Sequence, residues 1–152
     1  MVGKRGNIWL PIIATPPLDL AQSFFDELAS HPEQQHPSLI LDSCLTAAAQ
    51  LRASQVAIEF DHCFMGYCAN KIVRTLCPLP QEYPDEGNSI ESLVGGVENS
   101  SVALRALLRS EKHANHLLGR TPFFKEQNRV GISFLHEPQS KYQYYYVILI
   151  SK

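Results

Sequence analysis

YQYYYVILIS, residues 142–151, is apolar on both faces of a predicted β-strand, and this property decides the fold of the chain. Because successive side chains of a strand point to opposite faces, the segment divides into two sets. One face carries Tyr144, Tyr146, Ile148 and Ile150, and the other carries Tyr145, Val147 and Leu149. A strand that is hydrophobic on both faces is covered on both. The sequence therefore predicts a sheet with a layer packed against each side.

The rest of the predicted sheet follows from the spacing of apolar residues in the last third of the chain. Residues 129–135 are typical of a strand, and the turn-rich link over 136–141 joins them to the last strand as a hairpin. Residues 89–94 are interpreted as a short strand or a turn. Helices before strands, with one strand buried on both faces, predict an α+β fold: a three-layer α-β-α sandwich with a mostly antiparallel central sheet.

Three segments ahead of the hairpin have the spacing of amphipathic helices. The first contains Leu20, Phe24 and Leu28 at four-residue intervals. The second and most regular is predicted over 43–60, where the buried stripe is largely alanine, so this helix should approach its neighbour closely. The third is predicted over about 100–109. These segments supply the helices that the two-sided sheet requires.

Composition and charge limit the class of protein. The chain has 152 residues, 45% of them hydrophobic, with 13 basic and 15 acidic side chains and a net charge of −2. This is enough apolar material for one domain with its own core. A near-neutral balance without runs of Lys and Arg argues against nucleic acid as a partner. No apolar stretch approaches the roughly 20 residues needed to cross a bilayer, so no transmembrane segment is expected.

The N-terminus imitates a secretion signal. Lys4 and Arg5 precede an apolar run over residues 8–14, but the run is short, contains Pro11 and lacks a clear small-x-small cleavage site. No signal peptide is recognisable on these criteria. We interpret residues 1–17 as an N-terminal tail or linker and residues 18–152 as the single domain.

The four cysteines all fall within one quarter of the chain. They are Cys44, Cys63, Cys68 and Cys77, and no two of them form a C-x-x-C pair. Neither a zinc ribbon nor a thioredoxin-like redox site is therefore indicated. Because four cysteines are also too few for a disulfide framework in a domain of this size, the sequence favours buried free thiols.

The histidines are the residues best placed to carry chemistry. His31, His36 and His136 lie near prolines in predicted loops, where a solvated imidazole is the ordinary expectation. His62 instead follows the long alanine-rich helix, and His113 lies just after the next predicted helix. Two such histidines, brought together by packing, could bind one metal ion through neutral ring nitrogens or could hold a polar ligand. The alternative is that each only interacts with carbonyl groups at its own helix end.

Several short motifs follow one another in a characteristic order. An alanine-rich helix leads to Phe60-Asp61-His62, and then come Gly87-Asn88-Ser89-Ile90, residues 110–118 (SEKHANHLL), Val130-Gly131-Ile132 and Tyr144-Tyr145-Tyr146-Val147. This order resembles the CAP superfamily, the group of cysteine-rich secretory proteins, antigen five and pathogenesis-related proteins, in its compact bacterial form. The resemblance covers residues 18–152, and it rests on the order and spacing of the motifs.

The resemblance implies an α-β-α sandwich with a central cleft lined by two histidines and two acidic residues. His62 matches the first histidine and His113 the second, and the implied cofactor is a divalent metal ion such as zinc, weakly held. Where the family has G-E-N-I, this chain places Asn88 at the glutamate position. Glu86 and Glu91 flank it, but a shift of one residue turns a strand side chain to the other face, so neither is an automatic substitute.

Three functions remain open on this reading. The first is a non-enzymatic binding domain whose cleft, formed by His62, Glu86, Asn88, Glu91 and His113, holds a divalent ion or polar ligand while loops recognise a lipid, glycan or protein. The second is a metal-assisted hydrolase or peptidase with Glu86 or Glu91 as its base, against which Asn88 argues. The third is a structural domain of an extracellular or particle-associated assembly. The resemblance also implies an extracellular location.

Overall fold

The sheet of this protein has helices on both faces, as a computed structural model that describes residues 17–152 shows. Its elements in chain order are α1 (Pro17–Ala29), β1 (Ile40–Leu41), α2 (Ser43–Ile58), β2 (Cys63–Phe64), β3 (Tyr67–Cys68), α3 (Ala69–Arg74), β4 (Glu91–Gly95), α4 (Ser100–Leu108), α5 (Glu111–Leu118), α6 (Pro122–Lys125), β5 (Arg129–His136) and β6 (Tyr144–Ser151). The predicted tail and the imitation of a secretion signal lie outside the described residues, except that Pro17 begins α1. None of the described helices is long and apolar enough to cross a membrane.

The main sheet has the strand order β1-β5-β6-β4. Strands β5 and β6 form an antiparallel hairpin with Ile132 opposite Ile148, and β4 is antiparallel to the other side of β6. Only the short β1 is parallel to its neighbour β5. The prediction of a mostly antiparallel sheet in an α+β sandwich is therefore confirmed. Strand β4 forms one edge of the sheet, a position that matters for the cavity beside it.

Strand β6 joins two separate hydrophobic cores. Tyr146, Ile148 and Ile150 pack into a core shared with α1, α4, α5 and one face of β5. Tyr145, Val147 and Leu149 pack into a second core shared with α2, α3 and Leu93 of β4. All six of these side chains are at most 1% exposed, which is the two-sided burial that their alternation predicts.

Helix α2 lies unusually close to β5. The Asp42 side chain caps the helix by accepting a hydrogen bond from the Leu45 backbone N–H at 2.8 Å. Alanines 48, 49 and 53 are buried, and a Cβ atom added to Gly131 of β5 would overlap the backbone of Leu45. Small residues on both elements therefore allow the close approach that the alanine stripe predicts. The helix ends at Ile58, earlier than predicted, because Glu59 already has extended backbone angles.

The prediction of free thiols is wrong. Cys44 forms a disulfide with Cys77, and Cys63 forms one with Cys68. The packing of α2 against the segment after α3 brings the Cα atoms of the first pair to 5.8 Å. The second pair faces across the β2–β3 hairpin, whose loop residues 65 and 66 both have positive φ, as a tight type I′ turn requires. Sequence alone could not reveal these pairings, because four cysteines permit three connectivities.

The expectation of a solvated ring is also wrong for one histidine. His36 is only 5% exposed, and both of its ring nitrogens lie within hydrogen-bond distance of backbone carbonyl oxygens. The loop that contains it folds under the C-terminal end of α5, so proximity to Pro37 did not place it in solvent. By contrast, His136 is exposed at the end of β5.

Candidate functional site

A cavity of about 620 Å³ opens beside the first residues of the edge strand β4. Its lining comes from four places: the segment after α2, the start of β4 with the residues before it, the first turns of α5, and α6. These lining residues are His62, Asn88, Ser89, Ile90, Glu91, Ser92, Ser110, Lys112, His113, Asn115, His116 and Phe124. Because β4 is at the edge, residues from the helical layers on both faces of the sheet meet around it.

The structure brings together four of the five residues that the sequence predicts for the cleft. His62, Asn88, Glu91 and His113 all line this one cavity, although 51 positions separate the two histidines in the chain. Glu86 is the exception, since its side chain is exposed and does not line the cavity. Of the two glutamates that flank Asn88, only Glu91 belongs to the site.

Glu91 places a buried carboxylate next to His62. Its side chain is fully buried, and its Oε1 atom lies 2.9 Å from Nδ1 of His62. A carboxylate only accepts hydrogen bonds, so Nδ1 of His62 carries a proton and donates a hydrogen bond to Glu91. When the ring is uncharged, its lone pair is then on Nε2, the nitrogen that does not bond to Glu91. This is the arrangement by which a carboxylate orients a ligating histidine in metal sites.

Arg52 neutralises Glu91 from beneath the cavity. The arginine is 0% exposed, and it donates from Nε to Oε2 of Glu91 at 2.7 Å and from Nη2 to Oε1 at 3.0 Å. Its remaining donors reach Oε1 of Gln55 at 2.6 Å and the carbonyl oxygen of Asp61 at 2.8 Å. Both carboxylate oxygens of Glu91 are thus occupied, so this residue acts on His62 as a hydrogen-bond acceptor and not as a free base.

Sequence reasoning missed Arg52, although a signal for it exists. It follows Leu45 and Ala49 and precedes Val56 along the buried stripe of α2, at intervals of three or four residues. A charged residue on an apolar stripe is rarely buried without a partner. The pattern therefore indicates a buried counter-ion, but it does not say which acidic residue of the chain provides it.

Asn88 shapes the edge of β4. Its Oδ1 atom accepts a hydrogen bond from the backbone N–H of Glu91 at 2.8 Å, and its Nδ2 donates to the carbonyl oxygen of the same residue at 2.9 Å. An amide can do both because it has a donor and an acceptor, whereas a carboxylate has only acceptors. The amide of Asn88 therefore makes the two backbone hydrogen bonds with Glu91 that a neighbouring strand would otherwise make. Asn88 does not act as an acidic ligand.

His113, the second imidazole of the site, has a lowered pKa. It is half-buried at the start of α5, and burial, followed by the charges of His62 and Lys112, lowers the pKa of its ring. At neutral pH the imidazole is therefore uncharged and has a lone pair available.

The deeper wall of the cavity contains two residues that the sequence did not single out as site residues. The hydroxyl of Ser92 lies 2.7 Å from Nδ1 of His116, and both residues are buried. Burial above all, followed by the charge of His36, lowers the pKa of His116 to about 3. The ring of Phe124 contacts it edge-on, with 5.2 Å between ring centroids. At neutral pH these two side chains carry no charge.

Imidazole groups are the side chains of this cavity that could hold a divalent metal ion. Nε2 of His62 and the ring of His113 are two imidazole groups that could bind it, and imidazole nitrogen suits zinc and similar ions. Within residues 17–152 no group of three or more His, Cys, Asp or Glu side chains is gathered in a metal-binding arrangement. Cys63, next to His62 in the chain, is oxidised and cannot act as a thiolate. Two protein ligands, completed by water or a bound molecule, are what these residues offer.

No family model and no curated protein sequence matches this chain. Among solved structures, it is similar to an outer surface protein from Borrelia burgdorferi, with a TM-score of 0.70 and 18% sequence identity. The match covers 91% of this chain and 96% of that chain. At this identity the similarity shows a shared fold.

Proposed function

We propose that this chain is a CAP-type, non-enzymatic binding domain whose cavity holds a divalent metal ion between His62 and His113. The observation that carries the proposal is the convergence of two imidazoles on one cavity of about 620 Å³, with one ring oriented by Glu91 and the other kept neutral by burial. A polar group of a lipid, glycan or protein ligand then completes the coordination of the ion.

The surroundings of the histidines favour binding over catalysis. A metal-assisted hydrolase or peptidase needs a base within hydrogen-bond reach of the metal-bound water. Glu91 is the one carboxylate among the described lining residues, and Arg52 holds both of its oxygens. The Ser92 hydroxyl does not replace it as a reactive group, because a ring with a pKa of about 3 is a poor acceptor for the serine proton.

The disulfides support an extracellular or surface location. Disulfides form and persist in oxidising compartments and are rare in reducing ones. All four cysteines of this chain are paired, and the protein of similar fold is named an outer surface protein. A structural role in an extracellular or particle-associated assembly is the alternative that remains if the cavity binds nothing.

Calorimetric titration with zinc tests the proposal. We expect a saturable 1:1 binding heat with the wild-type protein and none with the His62→Ala/His113→Ala double variant, because both imidazole ligands are gone. The matched control is His136→Ala, which removes an exposed histidine outside the cavity and should bind as the wild type does. Absence of zinc binding by the wild type, or equal binding by the double variant, would overturn the metal site.

A further inference from the structure

The loop after α1 covers the C-terminal ends of two helices. Nε2 of Gln34 donates to the carbonyl oxygen of Leu28 in α1 at 2.9 Å and to that of Leu117 in α5 at 3.1 Å. The backbone N–H of Gln35 donates to the carbonyl oxygen of Leu118 at 2.9 Å. The last carbonyl groups of a helix have no partner within the helix, so this loop provides the donors they need.

His36 completes this set of donors from a buried position. Its Nδ1 lies 2.7 Å from the carbonyl oxygen of Gln127, and its Nε2 lies 2.8 Å from the carbonyl oxygen of His116. A carbonyl oxygen only accepts hydrogen bonds, while a neutral imidazole has one N–H donor and one acceptor nitrogen. A neutral ring here would therefore point a lone pair at an oxygen, whereas the imidazolium form donates to both.

The ring also lies at the C-terminal end of a helix. The carbonyl of His116 belongs to the last turn of α5, where the helix dipole is negative and a histidinium is stabilised. The ring packs closely against Gly119: a Cβ atom added there would lie 3.0 Å from the Cγ and Nδ1 atoms of His36. The ring therefore has little room to turn. Two short hydrogen bonds and close packing thus hold the ring in place.

No described carboxylate hydrogen-bonds to this ring, so carbonyl oxygens are its polar partners. Among the side chains that the structure describes, the titratable and charged ones on the elements around it are Asp26, Glu27, His31, Glu33, Glu111, Lys112, His113, His116, Arg120, Lys125 and Glu126. Glu33 is paired with Arg120 at 3.1 Å, and Glu126 is paired with Lys152 at 3.2 Å. The His116 ring is neutral, so it does not repel a charged neighbour.

We propose that His36 is a proton-dependent link: as an imidazolium it ties the loop after α1 to the C-terminal end of α5, and its deprotonation weakens that attachment. The inference is independent of metal binding. Because α5 also carries His113, the link makes the conformation of one wall of the cavity sensitive to pH.

Nitrogen-15 NMR of the metal-free wild-type protein tests the protonation state directly. We expect both ring nitrogens of His36 to carry hydrogen-bonded protons at pH 6.5, with the exposed ring of His136 as the reference signal. A singly protonated ring of His36 at that pH would overturn the proposal. This measurement needs no variant, so it decides the question even if substitutions at this buried position prevent folding.

Urea unfolding between pH 6 and pH 8.5 tests the consequence. The pKa values of His113 and His116 are lowered, so these two residues make the folded protein less stable as the pH falls. Their effect is opposite to the one expected for His36. The pH dependence must therefore be compared between variants. We expect the unfolding equilibrium constant of His36→Gln to be larger than that of the wild type at pH 6. The ratio of the two constants should fall about tenfold as the pH rises. The matched control His31→Gln, in the same loop, should keep the pH profile of the wild type. An advantage over His36→Gln that stays constant across this range would refute the link.

Discussion

Replacing Arg52 with methionine should leave the buried carboxylate of Glu91 without a counter-ion. Methionine has a similar reach and no charge, so it fills the space but removes the donors to both oxygens of Glu91, at 2.7 and 3.0 Å. Both side chains of the pair are 0% exposed, so water cannot replace the arginine. Removing one partner of a buried ion pair costs about 3–5 kcal/mol. For a domain of this size that corresponds to a fall in Tm of roughly 10 °C.

Urea unfolding followed by circular dichroism measures this loss, with the wild type and Arg52→Met compared at pH 7 and pH 5. An unpaired buried carboxylate can bind a proton and lose its charge, which lessens the destabilisation of the variant. The difference in the free energy of unfolding between the two proteins should therefore be smaller at pH 5 than at pH 7. Adding Glu91→Gln to Arg52→Met should recover part of the stability, because the neutral amide no longer needs a counter-ion and still accepts from His62. A loss below about 1 kcal/mol for Arg52→Met, or a double variant less stable than the single one, would refute the reasoning.

Three further predictions concern stability and use the same unfolding measurement. Gly131→Ala should cost about 1–3 kcal/mol or prevent folding, because the new methyl group overlaps the backbone of Leu45; an unchanged midpoint would contradict the close approach. Cys44→Ala/Cys77→Ala should lose about 4 kcal/mol, because the disulfide closes a loop with a sequence separation of 33; no loss under oxidising conditions would mean that the bond does not form. Asp42→Ala should cost about 1 kcal/mol at pH 7. Because the hydrogen bond from Leu45 lowers the pKa of Asp42, that difference should vanish as the pH falls below its ordinary value of 3.8, and a pH-independent difference would be inconsistent with the cap.

The architecture could be predicted because its main determinant is local and periodic. The alternation in β6 required two covering layers, and the alanine stripe of α2 required a close neighbour; both requirements are read from side chains a few residues apart. Their tertiary partners could not be predicted in this way. Gly131, for example, was only a glycine in a predicted strand, and nothing in the local sequence indicated that it would contact α2. Local patterns thus predict what an element needs, while the choice of partner depends on the packing of the whole chain.

The site was predicted less completely, for the same reason. His62 and His113 could be selected because each lies at the end of a predicted helix. The role of Glu91 could not, because it depends on which face of β4 meets α2 and on Arg52 lying beneath it. The Cys44–Cys77 disulfide and the burial of His36 were not predicted because both depend on contacts between segments far apart in sequence.

The electrostatics of the cavity follow from the edge position of β4. An edge strand has helices above and below it but no strand beside it, so a side chain at its start can reach a residue of α2 while its neighbour in sequence faces α5. Glu91 uses the first direction to meet Arg52, and Ser92 uses the second to meet His116. Glu91 lines the cavity, but Arg52 holds both of its carboxylate oxygens, which leaves imidazole nitrogens as the ligands on offer. Such a site should prefer zinc and similar ions over calcium and magnesium, because the latter require several oxygen ligands.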